Sequence, residues 1–239
     1  MNKITLDTFI QKYNLGGNVN SVKWISDGTT LSTKFISGDK SLLGHVELNK
    51  QSLPEIFEVG VYDTAQLYKM LGTLSDSIDF ELNKVNEQPT NFHFYDKVLS
   101  VDYVLAALGV IPDVPELKKI PDFDTLVTLD SQFINSFIKS KGALADVEHF
   151  AIKPVDGGVE FVIGYSDMNS NRISLKAQSG AVALTDSVTF NANLFKEVLS
   201  ANKECSKAEL QISNQGLAHV EFKVDDFNVK YWLVQQQAS

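Results

Sequence analysis

Few side chains in this 239-residue chain are placed for acid–base, nucleophilic or metal chemistry. The four histidines, His45, His93, His149 and His219, stand far apart, with no local pair at ligand spacing and no Cys-x-x-Cys, so no metal site is expected. Each lies in or beside a stretch that reads as a strand, which assigns it a structural place. Asp122 and Asp124 flank Phe123, and Asp225-Asp226 is a second acidic pair. Paired carboxylates can divide general acid and base work, yet both pairs fall where a strand begins or turns, where aspartate serves the turn itself. Cys205 follows Glu204, a neighbour that disfavours the thiolate a nucleophile needs. Neither a Gly-x-Ser-x-Gly elbow nor a Gly-x-x-x-x-Gly-Lys phosphate loop occurs. No catalytic residue, metal or cofactor is expected, and the chain does not read as an enzyme.

Charge offers a different chemistry. A net charge of −9 argues against a nucleic-acid surface spread over the whole exterior, because phosphate contacts require clustered positive charge. Of 21 basic residues only Arg172 is arginine. Arginine reads guanine edges and clamps phosphates through two bonds, whereas lysine is a mobile point charge, so any nucleic-acid contact here does not read sequence. The segments that read as helices, with their immediate ends, carry Lys12, Lys69, Lys139, Lys141, Lys196 and Lys203 against Glu197 and Glu204, cap residues aside. That excess reverses the sign of the chain. At about 100° per residue, Lys69, Lys139 and Lys196 point away from the apolar stripes, while Lys141 returns toward its stripe and is placed beyond the helix end.

The helices that must position these lysines share one plan. In Thr189-Phe190-Asn191 a strand-like pair meets an asparagine whose side chain can cap a helix, and Leu194, Phe195, Val198 and Leu199 then form one apolar stripe. Thr128-Leu129-Asp130 is followed by Phe133, Ile134, Phe137 and Ile138 at the same spacing. Val61-Tyr62-Asp63 leads into Leu67, Tyr68 and Leu71, and Thr5-Leu6-Asp7 leads into Phe9, Ile10 and Tyr13. Caps at 7, 63, 130 and 191 give spacings of 130 − 7 = 123 and 191 − 63 = 128, which predicts two halves of two quarters each, a duplicated closed domain.

Between the helices the chain alternates as antiparallel strands do. Strands are expected over residues 19–25, 31–36, 42–48, 55–62, 78–82, 92–95 and 98–104 of the first half. In the second they are expected over 126–129, 147–152, 159–164, 173–177, 188–190, 208–212, 217–223 and 227–234. The first helix is expected from about Asp7 to Leu15, ended by Gly16-Gly17. The N-terminus has no apolar leader and the longest apolar run, Tyr103 to Ile111, is too short to span a bilayer, so a soluble intracellular protein is expected. One cysteine permits no internal disulfide. Residues 109–122 hold three of the six prolines and should run extended over the surface, joining domains at 1–108 and 123–239. Val114, Leu117 and Ile120 recur three apart there, more apolar than a solvated linker requires, and are expected to close over a groove.

Duplicated halves, a proline-rich connector, no catalytic set and an acidic composition together resemble a DNA-polymerase sliding clamp, nearest to the processivity factors of T-even-type bacteriophages. The resemblance is carried by Val61-Tyr62-Asp63, by Lys97-Val98-Leu99-Ser100-Val101-Asp102-Tyr103 and by Asn171-Arg172-Ile173-Ser174-Leu175-Lys176-Ala177-Gln178. The last two are also similar to proliferating-cell nuclear antigen. The resemblance implies an α+β, duplicated clamp fold of two similar domains, with antiparallel sheets outside and two helices inside each. It implies a homotrimeric ring around double-stranded DNA, held without sequence specificity, with Lys12, Lys69, Lys139, Lys196 and Lys203 facing the DNA. A DNA polymerase and an ATP-dependent clamp loader would bind a groove of Val114, Leu117, Ile120, Leu233 and Val234. Protomers would meet through Val98, Ser100, Val101 and Tyr103 on one side and Ile173, Leu175 and Ala177 on the other. No membrane is implied, and the location would be the cytoplasm of an infected host cell. A β-rich viral structural protein that builds an oligomeric shell or tail from the duplication is the alternative.

Overall fold

The computed structural model describes residues 2–51, 53, 55–164 and 170–236. Its contacts divide the chain into two compact units, one of residues 1–36, 45–114 and 226–228, the other of 37–44, 115–225 and 229–239. The first unit holds α1 (Lys3–Asn14), β1 (Val22–Ser26), β2 (Leu31–Ile36), most of β3 (Leu42–Leu48), β4 (Phe57–Val61), α2 (Thr64–Leu71), β5 (Asp79–Val85), β6 (Gln88–Tyr95) and β7 (Ser100–Val104). β1 pairs antiparallel with β2 and β4, and β5, β6 and β7 form an antiparallel meander. The second unit holds β8 (Thr125–Asp130), α3 (Ser131–Ala143), β9 (His149–Val155), β10 (Gly158–Ile163), β11 (Ile173–Val182), β12 (Val188–Asn191), α4 (Ala192–Ala201), β13 (Lys207–Ile212), β14 (Leu217–Val224) and most of β15 (Phe227–Val234). Its strands lie in the order β12-β9-β10-β11-β8-β13-β14-β15.

Three helices start where expected, because a short polar side chain takes a backbone N–H that the first turn leaves open. Gln66 N donates to Asp63 Oδ1 at 2.9 Å, Phe133 N to Asp130 Oδ1 at 2.7 Å and Leu194 N to Asn191 Oδ1 at 3.0 Å. The first helix is different. Asn2 caps α1, accepting from Ile4 N at 2.8 Å, and Asp7 lies inside the helix one turn past Lys3, whose ammonium is 4.0 Å away. Asn2 meets the need earlier in the chain, and nothing between it and Asp7 breaks a helix. With the true cap the duplication becomes regular, since 130 − 2 = 128 and 191 − 63 = 128.

Positions counted from the caps then align. The fourth and eighth residues are Leu6 and Ile10, Leu67 and Leu71, Ile134 and Ile138, Phe195 and Leu199. Their stripes face the sheets, α1 beside α2 and α3 beside α4. Burying four such side chains on one helix contributes on the order of 6–12 kcal/mol before chain entropy is charged against it. In the first unit Phe9 meets Trp24 edge-on at 5.5 Å, and Trp24 meets Phe92 at 5.6 Å, tying α1 to β1 and β6. In the second, Phe137 meets Phe195 at 4.9 Å and Phe150 at 5.1 Å, so both helices and β9 share one aromatic cluster.

β2, β3 and β15 occupy the expected residues. β6 begins earlier than expected, at Gln88, where a bulge in the pairing of Asn83 and Lys84 accommodates Pro89. β11 runs on to Val182, past the expected end at Ala177.

Candidate nucleic-acid and self-association surfaces

The lysines do not share one fate. Lys69 and Lys139 are exposed on α2 and α3, Lys203 is exposed in the turn after α4, and Lys196 is half-buried with its Nζ 2.7 Å from Glu197 Oε1. Lys12, expected to face DNA, is instead fully buried, its Nζ 5.1 Å above the Phe227 ring. It flanks the apolar stripe, so its aliphatic stem joins the core and the ammonium meets the negative face of an aromatic ring. A cation enclosed in this way cannot meet a phosphate. Lys141 turns toward its stripe as expected but lies inside α3, not beyond it. Its Nζ donates to the carbonyls of Leu144 at 3.2 Å and Ala145 at 2.8 Å, closing the helix end. Burial pushes its pKa down, and the nearby Lys196 ammonium pushes the same way against Asp146.

The meander of the first unit has two outer strands, β5 and β7. Among the described residues β7 pairs only with β6, where Asp96 N donates to Leu99 O and Leu105 N to Thr90 O, both at 2.9 Å. Alternation along an antiparallel pair then directs the odd-numbered residues of β7 to β6, and the N–H and C=O of Ser100, Asp102 and Val104 to the open side. Val101 and Tyr103, expected as interface side chains, turn into the core at 8% and 5% exposure. Tyr103 Oη accepts from Asp63 N at 3.0 Å and donates to Asp63 O at 3.1 Å, bracing the cap of α2. Val98 stands 94% exposed at the hairpin tip. There Asp96 takes Ser75 N on one oxygen and the N–H groups of Val98 and Leu99 on the other, which holds its carboxyl far below the ordinary range.

The second unit has a matching gap. β10 pairs with Ile173–Gln178 of β11, whereas among the described residues β8 joins β11 only through Ser179 and Val182. The two-residue turn at Asp156-Gly157, where Gly157 takes φ +79°, makes Val155 and Gly158 a mutually bonded pair. Counting on through β10 turns Ile173, Leu175 and Ala177 toward β10, and Ser174, Lys176 and Gln178 toward the gap. Ile173 and Leu175 are half-buried and Ala177 is buried, while Ser174, Lys176 and Gln178 are exposed. Beside this edge lies a cavity of about 680 Å³, walled by Thr128, Asp130, Phe133 and the edge itself.

Just before residues 109–122, Ala106 N donates to Gly60 O at 2.9 Å. Only glycine allows that approach, since a Cβ on residue 60 would lie 2.7 Å from Ala106 O. Val114 is half-buried in the first unit, and Leu117 is half-buried and Ile120 50% exposed in the second. Leu233 corrects the expected groove: at 2% exposure it faces the core, and the alternation of β15 brings out Val234 instead.

The residues first searched for chemistry have structural partners. His93 Nδ1 lies 2.9 Å from Asp102 Oδ1, and His45 Nε2 is 3.7 Å from Glu47. His149 is half-buried in β9. His219 is stacked on Trp232 at 4.9 Å and Phe123 at 6.0 Å, with Nδ1 3.1 Å from Gln211 Oε1. Burial pushes its pKa down; Glu221 opposes that shift and Lys230 adds to it. Asp124 accepts from Asn214 N at 2.7 Å, and Asp226 pairs with Lys50 at 2.8 Å. Cys205 is buried with Sγ 3.1 Å from Lys207 O. Among the described residues no group of three or more His, Cys, Asp and Glu side chains could hold a metal ion, and no helix is long and apolar enough to cross a membrane.

No protein-family model matches the chain, and no curated protein matches its sequence. Solved structures do match. Proliferating cellular nuclear antigen from Entamoeba histolytica superposes with a TM-score of 0.74 at 14% identity, covering 99% of this chain and 97% of that one. The PCNA2–PCNA3 complex from Sulfolobus tokodaii matches with a TM-score of 0.74 at 11% identity and the same coverage. The chain has the PCNA-like clamp fold. At these identities the shared property is the backbone arrangement, two similar domains of antiparallel strands with a few helices. Within this clamp fold, reading by resemblance missed Asp102, Val104 and Lys176, although strict alternation in Ser100–Val104 and Ile173–Gln178 marks them as the outward residues.

Proposed function

We propose that this protein is a DNA-polymerase processivity factor of the T-even phage type. Three protomers close head to tail around duplex DNA, hold it without reading sequence, and tether a replicative polymerase after an ATP-dependent loader has opened the ring. The observation that carries this reading is the clamp fold, shared over 99% of the chain. Lys69, Lys139, Lys196 and Lys203 supply mobile positive charge on or just after the helices, suited to a duplex that must slide. Residues 1–108 and 123–239 act as the two clamp domains and 109–122 as their connector. Leu117, Ile120 and Val234 offer apolar surface to short tails of polymerase and loader in the cytoplasm of the infected cell. The ring acts by topology and has no catalytic step of its own.

Residence on DNA and affinity for DNA should therefore separate. Labelled protein loaded onto covalently closed circles is washed in salt that screens lysine–phosphate attraction, before and after a single restriction cut. Retention on the circle with release after the cut is the expected result. A trimer that leaves uncut circles as fast as linear DNA would refute the topological reading.

A further inference from the structure

We propose that the outer edge of β5 takes a further strand: an extended segment of another protein, antiparallel to β5, in which apolar residues alternate with lysine or arginine. The edge lies wholly within the first unit, with β6 between it and β7.

The duplication marks the place. β5 starts at Asp79 and β13 at Lys207, and 207 − 79 = 128 is also the spacing of the helix caps. β13 is paired on both sides, by β14 and by β8, and β8 sets buried Leu129 opposite Ala208 and buried Val127 opposite Leu210. β5 is paired on one side, by β6. Where the second unit has β8, the described residues of the first supply an isolated bridge, Asn2 with Ser77. Phe80 and Leu82 stand in the places of Ala208 and Leu210 and are less covered. Phe80 is half-buried where Ala208 is 2% exposed, and Leu82 is 8% exposed where Leu210 is 1%.

The backbone there is set for pairing. Asp96 N donates to Leu99 O and Leu105 N to Thr90 O, so even-numbered residues of β6 turn N–H and C=O to β7 and odd-numbered ones to β5. Tyr95, His93 and Asn91 thus bond with Asp79, Glu81 and Asn83, and the N–H and C=O of Phe80 and Leu82 point to the open side. Neither makes a backbone hydrogen bond there among the described residues. An open edge binds extended chains through its backbone and selects them through alternate side chains. The inward residues of an added strand come beside Phe80 and Leu82, which asks for apolar ones. Its outward residues meet Asp79 and Glu81, both exposed and without an ion pair among the described residues. Tyr95 Oη donates to Glu81 Oε1 at 3.1 Å, which leaves Oε2 for a cation. Asp79 stands where β13 has Lys207, the residue opposite Asp130 of β8, so the charge that completes this edge is reversed. The same carboxylates exclude a second copy. β5 laid antiparallel on β5 about Glu81 sets two Glu81 side chains opposite one another, and about Phe80 it sets Asp79 opposite Glu81.

The probe is a labelled pentapeptide, Lys-Val-Lys-Val-Lys with blocked ends, titrated into the full chain at low salt and followed by fluorescence anisotropy and amide hydrogen exchange. It should bind, slow the exchange of the Phe80 and Leu82 amides, and outcompete its acidic counterpart Glu-Val-Glu-Val-Glu. N-methylation of either valine removes a bond to the edge and should lower affinity about tenfold or more, while N-methylation of the central lysine should change it less than about threefold. Asp79→Lys with Glu81→Lys, at two exposed positions, should weaken the basic peptide about tenfold or more and turn the preference to the acidic one. Absence of binding at millimolar peptide would overturn the proposal. Equal losses from methylated valine and methylated lysine would show charge attraction without strand pairing and overturn it too. Self-association of the wild type that disappears in the Asp79→Lys, Glu81→Lys variant would place a second copy on this edge and overturn the partner named here. Each of these results leaves the ring standing, since its own test is residence on circular DNA.

Discussion

α1 and α3 begin 128 residues apart and agree along their stripes, where Leu6, Phe9 and Ile10 stand in the places of Ile134, Phe137 and Ile138. They part at the eleventh residue from the cap. In α1 this is Tyr13, fully buried, with its hydroxyl 3.2 Å from Thr64 Oγ1 and accepting from the Trp24 indole at 3.3 Å. In α3 it is Lys141, whose ammonium closes its own helix. The stripe answers to packing that both units need, while the helix end answers to what each unit happens to place there. Surface charge follows the same division. Lys12 is enclosed and Lys3 is half-buried near Asp7, so Lys69 is the exposed cation on α1 and α2, whereas Lys139, Lys196 and Lys203 all serve α3 and α4.

Breaking the shared part should have the largest effect. Phe9→Ala and Phe137→Ala each remove a fully buried ring and should cost about 3–5 kcal/mol in urea unfolding. A loss below about 1 kcal/mol at either position would break the equivalence of the two stripes.

The unshared part is sharpened on DNA. Lys139→Glu with Lys196→Glu should weaken duplex binding more than Lys69→Glu, and each lysine that contacts phosphate could lower the salt slope of a trimer by up to about 2.7. Lys12→Gln should leave affinity and slope unchanged while lowering the unfolding midpoint. Equal losses from both helix pairs, or a DNA effect at Lys12, would remove the asymmetry.

A smaller effect separates the caps. Asn2→Ala should cost about 1 kcal/mol, as Asn191→Ala should, because each removes the acceptor of a first-turn N–H. Asp7→Ala should stay within about 0.5 kcal/mol. The reverse ranking would return the cap to Asp7 and undo the regular spacing of 128.

The smallest effect is in pH. His219 has a depressed pKa in the folded state, so below about 6.5 the unfolded chain binds the proton first. Stability is therefore complete above that pH and falls as pH drops toward the folded value. His219→Gln should flatten the unfolding midpoint between pH 6.5 and 5 relative to wild type; an unchanged slope would assign the dependence elsewhere.

Much of the fold was legible because its punctuation is local. Asp63, Asp130 and Asn191 cap helices with their own side chains, and the turn residues bordering β2, β3 and β15 set those limits to the residue. The start of α1 was not, since Thr5-Leu6-Asp7 imitates the later copies and a bond from Ile4 to Asn2 leaves no periodic trace. Lys12 was misread for a related reason. The resemblance placed it by its helix alone, and the ring that covers Lys12 belongs to Phe227, more than two hundred positions later. At the edges, alternation identified the strands, but resemblance chose the inward Val101 and Tyr103 along with the outward Ser100, and left out Asp102 and Val104.

The charges on β7 and on the open half of β11 also bear on which self-pairings are disfavoured. A β7 strand laid antiparallel on another β7 about Asp102 keeps every bond and face in order, yet sets two carboxylates opposite one another, and β11 laid on β11 about Lys176 does the same with two ammonium groups. Like charges directly opposite destabilise such pairs. Self-pairing through either edge is therefore disfavoured, which keeps β7 and β11 available in a concentrated solution of the protein.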